Sequence, residues 1–342
     1  MVCRQITPAR NRMCSFWVVA SLAICGYLFN CGRPEDVVPA TNAIKEIVAV
    51  RCPHNPLVTF SSSKSLGKNI NGPSVIRVPP WISNPLGKYY MYFAHHHGKL
   101  IRLAYADFLA GPWKIYEPGT LKLEQARAFK GHIASPDVYI DNERKELRMY
   151  FHGKARFRKG QWTGVATSKN GLDFEASGTI LGTYYFRVFR WNGFYYALSK
   201  RGDTGWGELS RSEYGMTPFK SRGRFVAMMR HPAVMLRRNH LIMFYSRKGD
   251  APERILASTV ALGKDWLKWV ESEPMDVIRP EKDYEGTRYP NKPSSYGSAI
   301  EVQQLRDPCI FEEDGKTYLF YSISGEMGIA MAELKITMNN DT

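Results

Sequence analysis

The sequence predicts an all-β protein, a five-bladed β-propeller with four strands in each blade. A strand-like pattern recurs five times between residues 50 and 336, and a period of this size with about four strands per unit is typical of propeller blades. Aromatic residues favour strands and make up 13% of the chain. No stretch shows helical periodicity. A β-sandwich with a small second domain is the alternative fold.

The most regular part of each repeat is an aromatic run that predicts the second strand of a blade. Most of these runs follow a turn dipeptide such as Asn192-Gly193 or Asp314-Gly315, which favour tight hairpins. A third run, centred on a small residue, follows each of them. The five aromatic runs are residues 89–94, 147–152, 194–199, 241–246 and 318–322.

A shorter apolar run precedes each aromatic run and predicts the inner strand. Proline opens four of the five runs, which suits the first residue of a strand because no ladder donor is needed there. These inner runs begin at Pro73, Pro136, Phe186, Pro232 and Pro308.

The last repeat lacks an outer strand, and a segment within residues 48–60 could supply it. Only then would the ring of blades close. The long connection between repeats four and five, residues 263–305, holds clustered charges and four prolines. It could be a lid over the propeller mouth or a surface loop.

Residues 1–31 have the composition of a leader. They contain three arginines, no acidic residue and an apolar stretch over residues 16–29. That stretch is short for a membrane span, which needs about 20 residues, but it suits a secretory signal. We therefore expect export, to a secreted, periplasmic or cell-surface location. A short membrane anchor and lipidation of Cys31 are the alternatives. Residues 32–49 are then a linker, 50–336 the propeller and 337–342 a tail.

The cysteines give no metal signature. Four of the six lie in the leader, so only Cys52 and Cys309 remain in the body, and neither shows a zinc-site spacing. They could pair in an exported protein, although two free thiols are favoured. No metal and no cofactor are expected.

The charge balance is strongly positive, with 47 Lys and Arg against 32 Asp and Glu, or +15. Such a field attracts nucleic acid, anionic lipid or acidic polysaccharide. No nucleic-acid-binding motif accompanies it. A membrane contact is expected only through a lipid at Cys31.

The starts of the inner strands predict a functional site, since these positions face the central channel. The repeats place Asp137, Arg187, His231 and Asp307 there. Two carboxylates with a histidine and an arginine suit acid–base chemistry on an anionic sugar. We predict Asp137, His231 and Asp307 as catalytic, with His231 as proton donor, and Arg187 as a ligand of the substrate's anionic group. The alternative roles are turn-forming aspartates, a core histidine, and an Arg187–Asp137 ion pair.

Further side chains are predicted to bind substrate at the same mouth. Because alternate residues of a strand share a face, His95 and His97 would point together. The remaining candidates are His152, Arg306 and Glu326, and Glu326 is also a weak candidate for the acid. Three histidines could bind zinc, but no ligand spacing requires it. The basic cluster at residues 156–159 is either a solvated face or a binding stripe.

Several phrases resemble the superfamily of family 43, 32, 117 and 130 glycoside enzymes over residues 50–335. Ser135-Pro136-Asp137-Val138 is similar to the blade-two phrase of family 43, in which the aspartate tunes the pKa of the acid. Gly171-Leu172-Asp173-Phe174 resembles an outer-strand phrase, and Arg306-Asp307-Pro308 the closing blade. The resemblance implies a five-bladed propeller and a carbohydrate substrate.

Two departures separate the chain from family 43. That family has an Asp-Pro base in blade one, where this chain has Asn71-Gly72-Pro73. Its acid is the glutamate of a Glu-Gly-Pro phrase, and Arg230-His231-Pro232 stands there instead. Family 117 uses a histidine as the acid, and this resemblance implies that His231 could have the same role.

Three functions are therefore open. The first is an exported glycoside hydrolase-like enzyme acting on a polysaccharide or oligosaccharide, an acidic one given the charge. The second is a non-catalytic glycan-binding propeller, favoured by the missing family 43 carboxylates. The third is a histidine-dependent lyase acting on a uronic acid, for which no hydrolytic base is needed.

Overall fold

The computed structural model describes residues 40–202 and 204–339. It is an all-β, five-bladed propeller, which confirms the predicted fold. Its 21 strands are joined by loops and by three short 3-10 turns, at Phe60–Ser62, Trp266–Lys268 and Asp283–Glu285. The predicted leader, Cys31 and residues 340–342 lie outside the described residues.

Each of the first four blades is an antiparallel sheet of four consecutive strands. Blade one contains β3 (Asn71–Arg77), β4 (Tyr89–Ala94), β5 (Leu100–Ala106) and β6 (Lys114–Lys122). Blade two contains β7 (Phe129–Asp141), β8 (Glu146–Ala155), β9 (Gln161–Ser168) and β10 (Glu175–Thr183). Blade three contains β11 (Arg187–Trp191), β12 (Phe194–Lys200), β13 (Trp206–Ser212) and β14 (Lys220–Ala227). Blade four contains β15 (Met229–Arg237), β16 (His240–Arg247), β17 (Ile255–Ala261) and β18 (Met275–Ile278).

Blade five joins the two ends of the described chain. It contains β19 (Arg306–Glu313), β20 (Lys316–Ser322), β21 (Gly328–Met338) and, as its outer strand, β1 (Ile44–Arg51). The short β2 (Val58–Thr59) pairs with the start of β21. The N-terminal segment therefore closes the ring as the repeats predicted. Its strand begins inside residues 32–49, which the sequence suggested as a linker.

The core lies between blades rather than within them. Along β4, Tyr90 and Tyr92 pack toward blade two, while Tyr89, Met91 and Phe93 pack toward blade five. These two junctions and the other three between blades each have their own buried cluster. A strand buried on both faces reads as a continuous apolar run, which explains the aromatic runs in the sequence.

The two cysteines of the body are free. Cys52 is half-buried and Cys309 is buried on β19, where burial raises its pKa to about 11. Its Sγ accepts a hydrogen bond from the backbone N–H of Val75 in blade one, at 3.4 Å. Within residues 40–202 and 204–339, no helix has the length and apolar character needed to cross a membrane.

Candidate functional site

Four of the inner strands carry a β-bulge where they reach the mouth of the propeller. The register shifts fall at Gly72-Pro73, Ser135-Pro136, Arg230-His231 and Asp307-Pro308. Ser135 and Asp307 adopt positive φ of 48° each, and Tyr185, just before β11, adopts 69°. Bulges re-aim side chains, and here Ser135, His231 and Asp307 face the mouth, as does Tyr185 from blade three, whose inner strand has no bulge.

These residues form a set that we call the upper ring: Gly72, Ser135, Tyr185, His231 and Asp307. Ser135, Tyr185, His231 and Asp307 line a cavity of about 200 Å³, whereas Gly72 has no side chain and does not line it. The rest of the cavity wall comes from loops and from neighbouring positions on the blade strands. Its other polar lining residues are Asn71, His96, His152, Gln161, Tyr184, Lys200, Arg230, Tyr296 and Glu326. We call this cavity the mouth pocket.

Asp307 is a buried carboxyl group in the mouth pocket. Its Oδ1 accepts a hydrogen bond from the Tyr185 hydroxyl at 2.5 Å, and its Oδ2 makes no hydrogen bond to the described residues. Burial, together with the negative charge of Glu326, raises the pKa of Asp307. The side chain therefore favours the protonated form more than an exposed aspartate does.

His231 lies beside Asp307, with 3.5 Å between its Nδ1 and the Asp307 Oδ1. Its ring centroid is 4.9 Å from that of Tyr185. Burial and the nearby cations Arg230 and Lys200 lower its pKa well below 6.5. A neutral imidazole accepts a proton rather than donating one at neutral pH. This direction argues against the predicted role of His231 as proton donor.

Glu326 is the second carboxylate of the mouth pocket, and it differs from Asp307 in its partners. It accepts hydrogen bonds from Asn69, Asn71, Ser298 and Arg306 at 2.7–3.1 Å. Burial alone would raise its pKa, but His96 and Arg306 lower it to about 2. Glu326 is thus a carboxylate at neutral pH, so the suggestion that it could serve as the acid is wrong.

Arg306 does not contact the cavity. It is fully buried behind Glu326, where it pairs with that residue at 3.1 Å and with Glu253 at 2.9 Å. Its predicted role in binding substrate is therefore wrong, because its guanidinium group is already used to hold two buried carboxylates.

The histidine triplet contributes its middle member rather than its outer two. β4 ends at Ala94, so the triplet forms a turn and the alternation of a strand does not apply. His96 lines the mouth pocket, with its Nδ1 3.4 Å from the Glu326 Oε2. His95 and His97 line a separate side cavity, which corrects their predicted position. His152 does reach the mouth pocket, as predicted, and burial lowers its pKa well below 6.5.

Asp137 and Arg187 lie one layer below the upper ring. Asp137 follows Pro136, whereas His231 and Asp307 precede their prolines, so the bulge in β7 presents Ser135 to the mouth instead. The Asp137 carboxylate accepts a hydrogen bond from Val188 N–H of blade three at 2.8 Å and lies 4.0 Å from the Arg187 Nε. Asp137 does not line the mouth pocket.

Arg187 is buried, with 3% of its surface exposed. Its guanidinium group lies under the Tyr185 ring, 4.6 Å from the centroid. It therefore cannot bind an anionic group of a ligand in the mouth pocket, and the alternative role as an ion-pair partner of Asp137 fits its position.

Two other cations do line the mouth pocket. Arg230 is held by Glu253 at 2.8 Å and by the carbonyl of Gly297. Lys200 lies over the rings of Tyr184 and Tyr296, at 5.1 and 4.2 Å from their centroids. Tyr296 belongs to the connection between blades four and five, so this connection covers part of the mouth.

Sequence reasoning missed His96, Lys200, Arg230, Tyr185 and Tyr296. One signal was available, because aligning every repeat on the residue before its inner run would have selected Tyr185 and Ser135. His96, Lys200 and Tyr296 lie in a turn, at a strand end and in a long loop, which carry no repeat. Arg230 lies in the bulge of β15. Among the residues that the structure describes, no group of three or more His, Cys, Asp or Glu side chains is arranged to hold a metal ion.

Several solved structures that are similar to this one are glycoside hydrolases, and their sequences are distant. A GH43 β-xylosidase/α-arabinofuranosidase from a compost microbial metagenome is 14% identical, with a TM-score of 0.55 over 89% of this chain and 97% of its own. A GH130 structure, described with glycoside hydrolases that target β-1,2 mannosidic linkages in Candida mannan, is 11% identical, with a TM-score of 0.59 over 88% and 95%. At this identity the likeness establishes the fold.

No family model matches the chain. A curated relative does match it along most of its length. This is the uncharacterized protein R118 of Acanthamoeba polyphaga mimivirus, which is 36% identical over 328 residues, or 84% of this chain and 91% of the relative. The chain therefore belongs to the same family as the mimivirus protein R118.

Proposed function

We propose that the protein is a glycoside hydrolase-like enzyme that cleaves an anionic oligosaccharide or polysaccharide in the mouth pocket. The observation that carries the proposal is the pair of carboxyl groups there, whose surroundings move their pKa values in opposite directions. Such a pair is typical of sites in which one group gives a proton and the other stays ionised. The fold that the chain shares with glycoside hydrolases supports the same function.

Asp307 is the proton donor in this proposal. Its raised pKa keeps a proton available, and its Oδ2 has no hydrogen-bond partner among the described residues. That oxygen would protonate the glycosidic oxygen as the bond to the anomeric carbon breaks. Tyr185 holds the other oxygen, so the carboxyl group is oriented before substrate arrives.

His96 is the base in this proposal. The Glu326 carboxylate faces its Nδ1 at 3.4 Å, which favours the tautomer with the proton on Nδ1 and leaves Nε2 free to accept one. A water between His96 and the sugar would lose its proton to Nε2 and attack the anomeric carbon. Glu326 is a positioning residue here, because its own oxygens are occupied by four donors.

Lys200 would bind the anionic group of the substrate. It lines the mouth pocket and replaces Arg187 in the role that the sequence suggested, while Arg230, which is held by Glu253, adds positive charge to the pocket wall. Export of the protein, predicted from residues 1–31, is part of the proposal.

A lyase is the second candidate, and a specific observation favours it. His231 is a neutral imidazole that packs against the Tyr185 ring, next to two cations that could neutralise a uronate. A neutral histidine can accept the proton from the carbon atom next to the carboxylate group of the uronate. Elimination would leave an unsaturated sugar, whereas hydrolysis leaves a saturated one.

The test is a product screen with the full chain against neutral, sulfated and uronic polysaccharides. New reducing ends without ultraviolet absorbance from an unsaturated sugar would support hydrolysis, and His96→Gln should then lose most of the rate while His97→Gln, which alters the neighbouring side cavity, keeps it. An unsaturated product would select the lyase. Tight binding without any product would select the glycan-binding propeller and overturn the enzyme.

A further inference from the structure

A dense group of cations lies beside the mouth pocket, mainly on blade two and partly on the adjacent edge of blade one. They come from four places in the chain: the turn after β4 and the end of β6 in blade one, and the start of β7 and the end of β8 with its hairpin in blade two. We call this set the blade-two track: Lys99, Lys122, Lys130, Lys154, Arg156, Arg158 and Lys159. All seven residues are exposed and line two adjoining grooves of about 500 and 680 Å³.

The track is not neutralised by the protein itself. None of its seven cations forms an ion pair with a carboxylate of the described chain, and Glu124 is the one acidic residue among those that line the two grooves. Several cations on other blades are paired, as Arg254 is with both Asp250 and Asp276. Like charges gathered without counter-charges repel one another, so a bound polyanion would relieve this repulsion.

Two cations of the track are held in place by neutral groups. The Arg156 guanidinium donates to the backbone carbonyls of Arg127 and Phe129, and the Arg158 guanidinium lies 5.3 Å from the centre of the Trp162 ring. Next to them Phe157 is 89% exposed. An exposed aromatic ring with fixed cations on both sides can stack on a sugar face while the cations contact its anionic groups.

The track is continuous with the mouth pocket. Gln161 lines both the mouth pocket and the nearer groove, and its side chain is fixed by His132 Nε2 at 2.9 Å. The mouth pocket, at about 200 Å³, is smaller than the roughly 300–1,000 Å³ of sites that enclose drug-sized ligands. Most of a polymer whose end enters it must therefore lie outside.

We propose that the blade-two track is an extended binding site for the rest of an anionic polysaccharide chain, one that carries sulfate or carboxylate groups along its length. This rests on the proposed function, which puts the reacting sugar in the mouth pocket. Nucleic acid is the less suitable polyanion, because several solved structures that share this fold are glycoside hydrolases.

The experiment uses the full chain and a charge-reversal triple, Lys154→Glu/Arg158→Glu/Lys159→Glu, which leaves the anchored Arg156 intact. The matched control is Lys114→Glu/Lys220→Glu/Lys335→Glu, with the same change of charge on exposed residues of other strands. The probes are dextran sulfate, polygalacturonate, neutral dextran and a single-stranded DNA. Thermal unfolding of each variant verifies that it folds.

We expect the track triple to weaken binding of at least one of the two polyanionic polysaccharides by roughly tenfold or more at 0.1 M salt, and to reduce the salt dependence of that binding. The control triple should change the same affinity by less than about threefold, because it alters the net charge of the protein but leaves the track intact. Equal losses in the two triples would overturn the track. The proposal would also be overturned if the DNA bound more tightly than either polysaccharide and the track triple weakened that binding.

The outcome is separable from that of the proposed function. If the track binds polymer but no polysaccharide in the panel is cleaved, the proposed function fails and the binding site stands. If long chains and oligosaccharides that fill only the mouth pocket lose turnover equally in the track triple, the extended site fails while hydrolysis stands.

Discussion

The inner strands carry two rings of side chains, one two residues below the other, and the two rings have different tasks. The upper ring, with Tyr185, His231 and Asp307, lines the mouth pocket. The lower ring joins the blades: Ser74 accepts from Val138 N–H of the next blade, Asp137 from Val188 N–H, and Cys309 from Val75 N–H.

The lower ring is therefore structural, whatever its chemistry. A serine, an aspartate and a cysteine hold equivalent positions and make the same hydrogen bond across three blade junctions. The comparison teaches that a carboxylate near a propeller axis is not evidence of catalysis. The role of such a carboxylate depends on whether it belongs to the upper or the lower ring, and the position of a single bulge determines the ring.

The largest effect is expected from Asp307→Asn. This substitution keeps the shape of the side chain but removes its acidic proton, so turnover should fall by roughly 10²–10⁴-fold, the usual scale for a lost general acid. Rates on the polysaccharide that the wild type cleaves provide the measurement. Unchanged turnover would remove Asp307 from the chemistry and with it the catalytic task of the upper ring.

Asp137→Ala should instead affect stability. It leaves Arg187 buried without its partner and Val188 N–H without its acceptor, so the free energy of unfolding should fall by about 3 kcal/mol. Denaturant unfolding measures this loss, with the double variant Asp137→Ala/Arg187→Met expected to recover part of it. A stable Asp137→Ala protein that has lost turnover would place Asp137 in the site after all.

The two buried histidines of the mouth pocket predict a pH dependence. The pKa values of His152 and His231 are lowered in the folded state, so below pH 6.5 the unfolded chain binds protons that the folded chain does not. Stability is full above pH 6.5 and should decline below it, by about 1.4 kcal/mol per pH unit for each histidine. Unfolding of wild type and His231→Gln between pH 5 and 8 should show a shallower decline in the variant; equal slopes would contradict the lowered pKa of His231.

The smallest effect is expected from Ser74→Ala. It removes one hydrogen bond between blades one and two and should cost about 1 kcal/mol of unfolding free energy. Ser65→Ala, which changes an exposed serine of a loop, is the control and should cost less than half of that. A neutral Ser74→Ala would show that the lower ring does not stabilise the blade junctions.

The sequence was sufficient for the fold because each blade repeats the same buried pattern. The paired runs around Pro73, Pro136, Pro232 and Pro308 predicted the inner strands, and the missing outer strand predicted the closure by β1. These features depend on local patterns of apolar residues, which a single sequence shows directly.

The candidate site was harder to predict because it depends on departures from that pattern. The bulge at Ser135-Pro136 moved Asp137 out of the mouth, and the end of β4 at Ala94 turned the histidine triplet so that His96 faced inward. Burial then reversed the expected charge state of His231. Neither bulge position nor burial can be derived from spacing alone.

The central claim is that the two carboxyl groups of the mouth pocket differ in protonation. Carbon-13 NMR titration of the side-chain carboxyl groups, assigned with Asp307→Asn and Glu326→Gln, tests it most directly. We predict that Asp307 titrates above 3.8 and Glu326 near 2. Titration of Asp307 below 3.8, or of Glu326 at or above 4.5, would contradict the account.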